Sequence, residues 1–187
     1  MKKFAPLYVE LTPDEIEFAK NIGDTRASES RRMGLVDKNT SGKSGLFLDL
    51  IGAAGELAFC KGMNLEWSAS INTFKLPDVG HDIQVRTAPC NAAYPPDDFG
   101  NLILKQNDNP SHKFVLVVGN PPHFVIKGWI LGRFGMIPKW LNNDARPPSW
   151  FVPYKKLNAG LWLLAPTVKN EKPARMDRQE RKLLYPG

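Results

Sequence analysis

The chain has 187 residues, 42% of them hydrophobic, enough to bury one good core, and its 25 Lys and Arg against 19 Asp and Glu give a formal charge of +6 that favours a polyanionic partner. The longest apolar stretch, Phe114 to Val118, is far too short to span a bilayer, and Met1-Lys2-Lys3-Phe4-Ala5-Pro6 has no extended apolar signal region, so no membrane partner and a cytoplasmic location are expected. Cys60 and Cys90 are too few for a disulfide framework or a thiolate zinc site, and His81, His112 and His123 show no metal-ligand spacing.

Thr12-Pro13-Asp14-Glu15 is a helix start, with Pro at the first helical position and Glu completing a capping box, and predicts a helix running toward Arg32. Ile16, Ala19, Ile22 and Gly23 give that helix a narrow apolar stripe, while its far end is polar and is expected to leave the core or grip a partner. Arg26, Arg31 and Arg32 sit there, either as contacts to a nucleic-acid backbone or as a solvated helix end. The turn-rich loop from Asp37 to Gly45 contains Gly42-Lys43-Ser44, but Asp37 stands where a phosphate loop needs its first glycine and no strand precedes it. Lys43 remains a backbone-contact candidate.

Leu46 to Cys60 reads as a helix in which Glu56 has Gly52, Ala53, Phe59 and Cys60 as neighbours one turn away. Small neighbours let such a helix lie close to a sheet, and a carboxylate on that face calls for a metal, a base or a proton. Next, Trp67 to Leu76 and Asp82 to Thr87 are expected to form an antiparallel pair around the turn Asp78-Val79-Gly80-His81. Alternation in the second strand puts Asp82, Gln84 and Arg86 on one face and Ile83, Val85 and Thr87 on the other.

Cys90 to Gly100 is irregular, and strand signals follow over Asn101 to Gln106, Lys113 to Gly119 and His123 to Leu131. The run Phe114-Val115-Leu116-Val117-Val118 marks a central strand buried on both faces, as in a sheet covered by helices. Lys105 is placed either to reach a phosphate or to be a solvated edge lysine. Trp129 and Trp150 are either covering groups or platforms for unpaired bases, with core the expectation for Trp129. A helical turn is expected at Pro138 to Asn142 and an extended piece at Trp150 to Pro153. Beyond Pro166 the sequence is polar, and Asp177 to Leu184 is read as a helix or as a segment that orders on binding. One domain with appendages results: residues 1–45 with the first helix and a basic loop, a core over 46–164, and a basic tail over 165–187.

Gly55-Glu56 on a helix, Pro77-Asp78 at a turn and Gln84-Val85-Arg86 on the next strand, within residues 46 to 131, resemble the signature of the PD-(D/E)xK nuclease superfamily, the restriction-endonuclease-like group. Asp78-Val79-Gly80, Gln84-Val85-Arg86-Thr87 and Lys127-Gly128-Trp129-Ile130 are also similar to runs in small proteins of tailed bacteriophages, which implies the cytoplasm of a bacterial host. The resemblance implies an α/β fold with a restriction-endonuclease-like core, a central mixed sheet flanked by helices. It also implies Mg²⁺-dependent hydrolysis of phosphodiester bonds in DNA, with Mn²⁺ as a substitute and dimers among its members.

Under it Glu56, Asp78, Gln84 and Arg86 are the catalytic set, and the metal is held by Glu56 and Asp78 with Asp82 as the competing ligand. Here Gln84 replaces an acid and Arg86 a lysine. A glutamine carbonyl ligates Mg²⁺ without adding charge, and arginine cannot act as a base but can hold a phosphate. Two alternatives follow from those departures: a nuclease-like fold that binds nucleic acid without cutting it, or a phage protein that binds an acidic host protein.

Overall fold

Period-two strands and small-residue helices assemble into a mixed α/β fold, in a computed structural model that describes residues 6–34, 45–71, 76–92, 96 and 98–164. In chain order the elements are β1 (Leu7–Glu10), α1 (Pro13–Arg32), α2 (Gly45–Met63), β2 (Ile83–Ala88), β3 (Asn101–Lys105), β4 (Lys113–Asn120), β5 (His123–Leu131), β6 (Leu141–Asn142) and β7 (Ser149–Pro153). A four-stranded sheet has the order β1-β5-β4-β2, with β2 parallel to β4 and the other pairings antiparallel. A second sheet, β3-β7-β6, is antiparallel.

The central strand β4 is buried on both faces, as its continuous apolar run predicts. Val115 and Val117 join the core formed with α1 and α2, while Phe114, Leu116 and Val118 join a second core with Leu102, Leu104 and Val152. The helices therefore cover one face of the main sheet, and the small sheet covers the other. A central sheet flanked by helices was the expectation, and on one face a second sheet takes the place of helices. The difference arises because β3 and β7 turn alternate side chains inward and pair with each other, a partnership that periodicity alone does not reveal.

Helix α1 starts where its capping box places it, with Thr12 Oγ1 accepting from the Glu15 N–H at 3.3 Å and Glu15 Oε2 accepting from the Thr12 N–H at 2.7 Å. Ala19, Gly23 and Ala27, four residues apart, form its buried stripe. A Cβ on Gly23 would lie 3.0 Å from backbone atoms of Asp49 and Leu50, so the two helices cross in near backbone contact. The stripe is buried as far as Ala27, and the last residues of α1, Arg31 and Arg32, are exposed. Strand β1, which is too short to give a periodic signal, pairs with β5 and draws the first residues into the main sheet. Of the expected strand from Trp67 to Leu76, residues 67–71 form no strand and 72–75 fall outside the described residues; the turn closes by pairing Val79 with Ile83, and Asp82 precedes β2. The expected loop from Asp37 and helix from Asp177 fall outside the described residues.

Helix α2 approaches β2 most closely at Gly55. A Cβ there would run into the Thr87 side chain, 2.8 Å from its Cγ2 and 2.9 Å from its Cβ. Gly55→Ala is expected to destabilise the fold by about 1–3 kcal/mol through overpacking, and Thr87→Ala to recover part of that loss. A denaturant-unfolding double-mutant cycle checks this; additive losses would place the strain elsewhere.

Candidate active site

Close contact of α2 with β2 carries Glu56 to the rim of the helical layer, where it is 7% exposed. Arg26 from α1 meets it in a two-pronged pair, Nη1 donating to Oε1 and Nη2 to Oε2 at 2.8 Å each, and Arg26 Nε donates to the Ser70 carbonyl at 3.0 Å. Trp67 Nε1 donates to Glu56 Oε2 at 3.2 Å, and the Trp67 ring packs edge-on against Phe18 with centroids 5.5 Å apart. Burial opposes the Arg26 charge, but the Glu56 hydrogen bonds and the charges of Glu56, Asp78 and Asp49 outweigh it and raise the guanidinium pKa. Parallel N–H donors matched to a carboxylate fork are the strongest form of such a pair.

Asp78 follows Pro77 and reaches the free edge of β2, where its Oδ2 accepts the Val85 N–H at 2.7 Å. Its pKa is raised to about 6, first by burial and then by the charge of Glu56, against the opposing pull of the Val85 N–H, Arg86 and Arg26. Gln84 donates through Nε2 to the Leu76 carbonyl at 3.3 Å and so braces the turn that carries Asp78. The Cys60 thiol, one helical turn beyond Glu56, is pushed up to about 12 by burial and by the charges of Glu56 and Asp78. It remains a thiol at neutral pH and is no nucleophile.

The expected site residues divide between the two faces of β2. Gln84 and Arg86 alternate with Ile83 and Val85, which pack into the helical core, so both project toward the small sheet. Arg86 Nη2 donates to Asp108 Oδ1 at 2.7 Å and its guanidinium lies 5.7 Å from the Phe114 ring centroid, while its buried Nε has no hydrogen-bond partner among the described residues. Asp108 also accepts the Lys105 N–H through Oδ2 at 2.8 Å, which fixes the β3 end beside Arg86. Sequence reasoning missed Asp108, because Asn107-Asp108-Asn109-Pro110 reads as turn chemistry alone.

Asp82 points elsewhere, pairing with Lys113 Nζ at 2.9 Å, so Asp78 rather than Asp82 is the carboxylate that feels Glu56. Arg26 is committed to Glu56 instead of being presented to a phosphate. Arg31 and Arg32 are exposed on the end of α1, beside Ser28 and Glu29 respectively; Lys105 is exposed on β3, and Lys43 lies outside the described residues. Trp129 is half-buried and donates to the Gly160 carbonyl at 3.1 Å, and Trp150 packs against the second core. Among the described residues no group of three His, Cys, Asp or Glu converges, and no helix is long and apolar enough to cross a membrane. Comparison of the chain with protein-family models, curated proteins and solved structures finds no match.

Two tests follow from this geometry. Arg26→Ala leaves a buried carboxylate without its partner and is expected to cost roughly 3 kcal/mol in denaturant unfolding, with a smaller loss for Arg26→Ala/Glu56→Gln. For Asp78 the folded-state pKa of about 6 lies above the ordinary 3.8, so the folded chain holds a proton that the unfolded chain releases. Stability should therefore fall by roughly 2–3 kcal/mol as pH rises from about 4 to about 6. Asp78→Asn keeps an acceptor for the Val85 N–H and removes this dependence. An identical pH profile for variant and wild type, measured by thermal unfolding, would refute the assignment.

Proposed function

We propose that the chain is a metal-dependent nuclease with a restriction-endonuclease-like core of the PD-(D/E)xK type, hydrolysing phosphodiester bonds in DNA. The observation that carries this reading is the closeness in charge of buried Glu56 on a helix and half-buried Asp78 on the following turn, against the edge of the strand that bears Gln84 and Arg86. Burial and mutual repulsion set a demand for positive charge that Arg26 meets only in part, since Asp78 still favours its proton up to about 6.

The donor chemistry fits a hard divalent cation. Mg²⁺ takes one or two carboxylates and completes its shell with water and substrate phosphate, and Mn²⁺ accepts the same oxygen donors. Glu56 and Asp78 would hold it, with Glu56 shared with Arg26. What the cation supplies when bound is charge stabilisation on the phosphate and a more acidic water.

The chain's own groups divide the remaining work. Arg26 and Trp67 hold the Glu56 carboxylate in one orientation, Gln84 braces the Asp78 turn, and the Val85 N–H fixes one Asp78 oxygen. A guanidinium is no base, so Arg86 serves as a clamp for phosphate charge. One observation favours the second reading, a nucleic-acid-binding fold without cleavage: both Glu56 oxygens already accept hydrogen bonds.

Labelled single-stranded and duplex DNA incubated with Mg²⁺, Mn²⁺ or EDTA separates the two. The nuclease reading expects metal-dependent cutting that falls about a hundredfold or more in Glu56→Gln and in Asp78→Asn. Salt-sensitive binding with no cutting under either metal would establish the second reading in its place.

A further inference from the structure

On the outer side of the small sheet, and reaching β2, is a cleft of about 550 Å³. Its walls include Lys105 and Ile103 of β3, Phe151 of β7, Arg146 from the β6–β7 connection, and Arg86 and Ala88 of β2. We propose that this cleft takes one unpaired nucleotide of a DNA strand, its base against Phe151 and Ile103 and its phosphate among Lys105, Arg146 and Arg86. The identity of the polymer rests on the nuclease reading; the nucleotide chemistry of the cleft does not.

The lining explains the class of ligand. Ile103 and Phe151 are cross-strand partners, so they stand side by side on the face opposite Leu102, Leu104 and Val152, which are fully buried in the second core. Ile103 is 40% exposed, an apolar residue on the outer face where a strand ordinarily turns polar groups to water. A phosphate alone has no use for that apolar wall, and an apolar ligand has no use for the surrounding cations. Together they match a nucleotide, whose base has an apolar face and whose backbone is anionic.

Charge complementarity points the same way. Arg86, Lys105 and Arg146 line the cleft, and no Asp or Glu is among the described residues that line it. Arg146 is anchored by Nη1 donating to the Asn143 carbonyl at 2.9 Å, and Arg86 by Asp108, so both guanidiniums are positioned before a ligand arrives. The cleft volume lies within the range of small-molecule sites and suits one nucleotide, and stacking on Phe151 needs a base free of its own neighbours. Arg86 also connects the two faces of β2, because its charge acts on Asp78.

The test is fluorescence anisotropy of a labelled oligothymidylate of about ten nucleotides with the full chain in EDTA, with a duplex of the same length and dTMP as competitors. The proposal expects the single strand to bind tighter than the duplex and dTMP to displace it only at far higher concentration. It also expects Phe151→Ala to weaken binding about tenfold or more, and Lys105→Ala to weaken it and reduce the salt slope by about one. Lys105 is exposed, so its variant reports on the cleft even where Phe151→Ala disturbs the fold. Unchanged affinity in a folded Lys105→Ala variant, preference for duplex, or displacement by dTMP as effective as by the oligonucleotide would each overturn the proposal. Because binding is read without metal, failure of the nuclease reading shows separately, as no cutting when Mg²⁺ or Mn²⁺ is added while cleft binding stays intact.

Discussion

Arg26 and Glu56 form the contact on which the rest of the site depends. The pair joins α1 to α2, and through Trp67 and the Ser70 carbonyl it also holds the segment that follows α2 as far as Ser70. A carboxylate as enclosed as Glu56 would be costly alone, and a guanidinium with donors in a matched fork is the side chain best suited to offset that cost. Small residues make the meeting geometrically feasible. Gly23 lets α1 reach α2, and Gly55 lets α2 reach Thr87, so Glu56 arrives within electrostatic range of Asp78 at the edge of β2.

That edge has two faces with different chemistry. On the helical side Glu56 is buried in its pair with Arg26 and Asp78 is half-buried; on the side of the small sheet Arg86 is held by Asp108 and lines a cleft. Arg86 belongs structurally to the second side yet acts electrostatically on Asp78. Alternation along β2 sends Arg86 to the side of the small sheet, while Asp78 meets the strand's edge through the Val85 N–H. Asp108 keeps the arrangement fixed by holding Arg86 and the end of β3 at once.

Local chemistry was readable from residues, and long-range partnership was not. Thr12-Pro13-Asp14-Glu15 contains its own capping interactions, and the run through Phe114 to Val118 contains its own burial, so α1 and β4 are where they were expected. Glu56 was singled out because small residues surround it on the helix. Nothing near Arg26 in sequence announces Glu56, which is 30 residues away, and a cluster with Arg31 and Arg32 suggested solvent or phosphate instead. Nor does alternation assign a strand to a sheet: β3 and β7 each show a buried face, but only their mutual pairing shows that a second sheet replaces a helical layer. Asp82 illustrates the limit at a single residue. It precedes the strand and turns to Lys113, which leaves Asp78 to face Glu56.

In the proposed reading Glu56 and Asp78 hold a divalent cation. Isothermal titration of the chain with Mn²⁺ near pH 6, in buffers of differing ionisation enthalpy, reads both binding and proton release. The account predicts binding accompanied by release of a proton from Asp78, both lost in Asp78→Asn. Binding that persists unchanged in that variant, or no binding at millimolar Mn²⁺, would contradict it.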